Sequence, residues 1–92
     1  MERFTAKSLH ALLSYANSIG AAPDGFEWRD YQAYGGHEVV LKNIKGTWVK
    51  DFYFRRGTPR HAATEWLLWM SENMCGSFHD VYDEAYDMGI RL

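Results

Sequence analysis

One cysteine, two prolines and no unbroken apolar run long enough to span a bilayer set the first limits on this chain of 92 residues. A lone Cys75 excludes an internal disulfide framework and cannot by itself build a thiolate zinc cage. A reducing, cytoplasmic setting is the matching expectation. Lacking both a long apolar stretch and a basic-then-apolar leader, the chain is expected to be soluble and untargeted, with no membrane among its partners. Catalytic signatures are missing too: there is no Gly-rich phosphate loop, no serine-centred elbow and no conspicuous carboxylate pair. The four histidines, His10, His37, His61 and His79, are scattered without ligand spacing. Cys75 stands just before Gly76, at what reads as the closing end of a helix, the wrong end for activating a thiol. His79 and Asp83, four apart, could share a metal ion but have few further ligands beside them. A non-enzyme with no catalytic residue, no cofactor and no metal site is the expectation.

What the chain has in quantity is hydrophobic and aromatic material. At 47% hydrophobic and 16% aromatic it can bury a core, and at this length only one, so residues 1–92 read as a single globular domain. Four Trp, six Tyr and five Phe place rings in that core and leave some for a binding surface, where such rings are favoured anchors.

The pattern along the chain alternates in period. In "FTAKSLHALLSYANSIG", Thr5 is placed to cap a helix, with Phe4 before the cap stapling onto Leu9. Leu9, Leu12, Leu13, Ala16 and Ile19 share one face by their three-four spacing, and Gly20 is a natural stop. After the break at Pro23 and Gly25 come "FEWRDYQAY", "HEVVLKN" and "TWVKDFYFRR". The last alternates Trp48, Phe52 and Phe54 against Val49, Asp51, Tyr53 and Arg55. Gly35-Gly36 and Lys45-Gly46 have the chemistry of turns between strands. Thr58 before Pro59 then opens a helix whose buried stripe is Ala62, Ala63, Trp66, Leu67, Met70 and Met74, closed at Gly76. Leu68 and Trp69 lie off that stripe, as if the helix were covered on two sides. Ser77 with Asp80 has the form of a capping box for a last helix, with Phe78, Val81, Tyr82, Ala85 and Met88 inward and Gly89 at its end. The expected fold is α+β, in the order α-β-β-β-α-α, with a three-stranded antiparallel sheet packed by helices.

Charge divides the molecule. Residues 1–39 carry a net −2 and residues 61–92 a net −5, whereas residues 40–60, with Lys42, Lys45, Lys50, Arg55, Arg56 and Arg60 against Asp51, carry +5. In the last helix Asp80, Asp83, Glu84 and Asp87 fall within about 100° of arc, opposite the apolar residues. Like charges at these spacings each cost a helix roughly 0.2–0.5 kcal/mol. The ridge is either a solvated face, a neighbour of the chain's own basic strands, or a docking surface for a positively charged partner. The basic segment offers a second surface, since arginines beside a helix N-terminus favour anions.

The α-β-β-β-α order over residues 5–74 resembles that of double-stranded RNA-binding domains. Gly35, Gly36 and His37 are similar to that family's Gly-x-His loop between the first two strands, and Thr58, Arg60 and Ala62 loosely match its second helix start. Nucleic-acid binding through the basic hairpin is what the resemblance implies. The chain departs from the pattern where it matters most for phosphate contact: Pro59, His61 and Ala63 stand where several lysines would be.

The reading that follows is a small non-enzymatic protein-binding inhibitor or adaptor. It docks the acidic face (Asp80, Asp83, Glu84 and Asp87, with Tyr86 and Trp69 as ring anchors) onto a basic, nucleic-acid-binding groove of its protein target. Anti-defence proteins of phages and mobile elements, anti-CRISPR proteins among them, are of this type. The alternative is the nucleic-acid-binding module using Lys42, Lys45, Lys50, Arg55, Arg56 and Arg60. Opposite charges within one chain also leave room for a homodimer.

Overall fold

Thr5 has extended backbone and its hydroxyl accepts the Ser8 amide at 3.2 Å, while the Ser8 hydroxyl accepts the Thr5 amide, also at 3.2 Å. Two of the donors left over at a helix start are thereby satisfied, and α1 (Ala6–Ser18) begins there. Phe4, ahead of the cap, is buried in the same cluster as Leu9, as a staple requires. At the other end Gly20 adopts φ 74°, and the amides of Gly20 and Ala21 donate back to the carbonyls of Asn17 and Ala16 at 3.1 and 2.8 Å. This is a Schellman closure, and it ends the helix at Ser18, one residue short of the end of the expected apolar stripe. Ile19 consequently lies outside the helix and is exposed, a correction to its expected place on the buried face.

The computed structural model describes residues 4–33, 36–43, 45, 48–53 (backbone only, as for 33) and 58–92. Strand β1 (Phe26–Ala33) pairs antiparallel with β2 (Gly36–Asn43), in a register that sets Trp28 opposite Leu41 and Asp30 opposite Val39. Segment β3 (Trp48–Tyr53) runs antiparallel along the other side of β2, with Val39 opposite Phe52 and a shift between Leu41 and Lys42. The expected facing of the β3 side chains, and the turns at Gly35 and Gly46, lie outside the described residues.

Trp28, Val39 and Leu41 project from one face of the sheet onto α1 and onto α2 (Pro59–Asn73). Thr58 caps α2 by accepting the His61 amide at 3.2 Å, and Pro59 fills the first helical position, where no amide is needed. Ala62, Ala63, Trp66, Leu67 and Met70 are buried along one stripe. The core is thus a small sandwich: sheet, then α1 and α2, then α3 (Cys75–Asp87) packed on α1 and α2. From α3, Val81 and Ala85 are buried, and Phe78, Tyr82 and Met88 pack against them, as the sequence led one to expect.

The joint between α2 and α3 differs from expectation. Met74 alone separates the helices, with φ −138° and ψ 51°; its carbonyl accepts the amides of both Ser77 and Phe78 at 3.0 Å. Gly76 therefore lies in the first turn of α3 and does not close α2, and the Ser77–Asp80 capping box does not form, because the Met74 carbonyl already takes the Ser77 amide. Cys75 is the first residue of α3, not the end of α2, and its Sγ donates to the Ser71 carbonyl at 3.0 Å. What carries over intact is an α+β chain with three helices and an antiparallel strand pair.

A candidate docking face on the third helix

Because α3 rests on other helices by one side only, its opposite side has nothing over it among the described residues. Asp80, Asp83 and Asp87 are exposed there, with Glu84 half-buried lower on the same ridge. Ion pairs between described residues include His10–Asp30 at 2.9 Å and Arg29–Glu27 at 2.8 Å, and no such pair involves this ridge. The four carboxylates that the sequence singled out are brought together and stay unneutralised by the described cations.

Two arginines reach the end of α3 yet bind carbonyls instead of carboxylates. Arg60 sends Nη1 from α2 to the Gly89 carbonyl at 2.7 Å. Arg91 places Nη1 2.6 Å from the Tyr86 carbonyl and lays its guanidinium 3.5 Å from the centre of the Tyr86 ring. Both sit where a helix dipole favours a cation; the Gly89 carbonyl lies just past α3, and the Tyr86 carbonyl also accepts the Gly89 amide at 3.0 Å. Gly89 takes φ 98°, and Ile90 returns its amide to the Ala85 carbonyl at 3.0 Å while its side chain is fully buried. Here is a second Schellman closure, plugged by a hydrophobic residue.

The proposed ring anchors separate. Tyr86 is 48% exposed beside the ridge, in edge contact with Tyr82, which in turn stacks on Phe78 at 5.5 Å. Trp69 is half-buried, its ring edge-on to Trp28 at 5.5 Å, so its place is in the core wall and not on the ridge. That correction has a long-range cause: Trp28 arrives from β1, which no helical period in residues 59–73 reveals. Leu68, off the stripe, is exposed and not covered on a second side.

The alternative basic surface is partly dismantled. Lys42 is half-buried, hydrogen-bonded to the Tyr31 hydroxyl with its ammonium 4.9 Å from that ring's centre. Arg60 is committed to α3, and Lys45 is exposed. The side chains of Lys50, Arg55 and Arg56 lie outside the described residues. No group of three or more His, Cys, Asp or Glu among the described residues is arranged for a metal ion, and His79 faces the Phe78 ring.

One feature was missed by sequence reasoning. Between α1 and the edge strand β1 runs a groove of about 230 Å³ lined by His10, Ser14, Asn17 and residues 27–30. Asn17 fills the role of an absent neighbouring strand: its amide accepts the Trp28 N–H at 2.8 Å and donates to the Trp28 carbonyl at 2.9 Å. No spacing rule links positions 17 and 28. No helix among the described residues is long and apolar enough to cross a membrane. Neither a family model, nor a curated protein, nor a solved structure matches this chain.

Proposed function

We propose that the protein is a small non-enzymatic binding module, an inhibitor or adaptor, that docks the carboxylate ridge of α3 onto a basic, nucleic-acid-binding groove of a protein target. Asp80, Asp83 and Asp87 stand in for phosphates in this reading, Glu84 extends the ridge, and Tyr86 is the ring anchor at its end. The three strands, taken as a three-stranded antiparallel sheet in the order α-β-β-β-α-α, serve as the platform behind the helices.

One observation supports the reading above others: three exposed carboxylates share a helix face and form no ion pair with any described cation, while Arg60 and Arg91, at the end of the same helix, are spent on carbonyls. An arrangement that costs the isolated helix stability is left unpaired among the described residues, and a cationic partner would supply what the chain withholds.

The test captures partners on the immobilised protein and identifies them by mass spectrometry, beside a variant carrying Asp83→Lys, Glu84→Lys and Asp87→Lys. The expected result is nucleic-acid-binding proteins released as salt rises from about 0.1 M to about 1 M, where the screening length falls from about 10 Å to about 3 Å. The variant should fail to capture them, and duplex DNA or RNA should compete. Equal capture by a variant with an intact circular dichroism spectrum overturns the reading.

A further inference from the structure

We draw no further inference here: the strongest candidate, the groove of about 230 Å³ between α1 and β1, has its polar groups taken up by one another (His10 by Asp30, Arg29 by Glu27, Asn17 by the Trp28 backbone), and nothing in the structure shows what would occupy it.

Discussion

Trp28 joins β1 to α2 and to the turn after α1. It is almost fully buried, meets Trp66 and Trp69 edge-on at 5.6 and 5.5 Å, and donates its indole N–H to the Ala21 carbonyl at 2.8 Å. Each such ring pair contributes about 0.5–1.5 kcal/mol beyond the area it buries. Trp66 is equally buried, yet its indole N–H has no partner among the described residues, a deficit of about 1–3 kcal/mol. The two tryptophans therefore predict unequal responses to one substitution. Trp28→Phe removes volume and breaks a hydrogen bond; Trp66→Phe removes similar volume but deletes an unsatisfied donor. Urea unfolding should show Trp28→Phe the more destabilising by about 1–2 kcal/mol. Equal losses would mean the Trp66 donor is satisfied in solution. Asn17 carries a second prediction at this scale. Asn17→Ala strips both hydrogen bonds from the Trp28 backbone at a sheet edge, so a loss of about 2 kcal/mol is expected in the same assay. A loss below about 0.5 kcal/mol would show that water replaces the amide without penalty.

At the scale of elements, helices were legible wherever their period and both ends were local. Thr5, Thr58, Pro59, Gly20 and Gly89 each do what their residue types imply, since capping needs only neighbours in sequence. The α2–α3 joint was illegible because Gly76 reads as a stop, whereas the actual break falls on Met74, which no propensity marks. Its extended φ lets two helices meet at one residue while Met70, Val81 and Ala85 stay in a common core. The carboxylate face was legible as geometry, but the fate of the nearby arginines was not. Arg60, 29 positions before Gly89, ties α2 to the end of α3 by a contact that only the tertiary fold creates. Arg60→Gln should lower the thermal midpoint, corresponding to a loss of about 1 kcal/mol, with the far-ultraviolet spectrum unchanged. No shift in midpoint would show that the tie holds nothing.

Considered whole, the molecule spends stability on its negative side. Asp83 and Asp87 are four apart, and Asp87 lies at the helix end where negative charge is unfavourable. Asp87→Asn should accordingly leave the free protein as stable or more so, by about 0.5 kcal/mol in chemical denaturation, while weakening any capture of a basic partner. Clear destabilisation would instead assign Asp87 a structural bond. The way α3 is held has a thermodynamic corollary. Its first turn grows directly out of α2 across Met74, and its last turn is pinned by buried Ile90 and by Arg60. A segment clamped at both ends has little backbone freedom left to surrender when something settles on it. Association on that face should release counterions and water without ordering the chain, so calorimetry would record a strongly salt-dependent affinity and only a modest change in heat capacity.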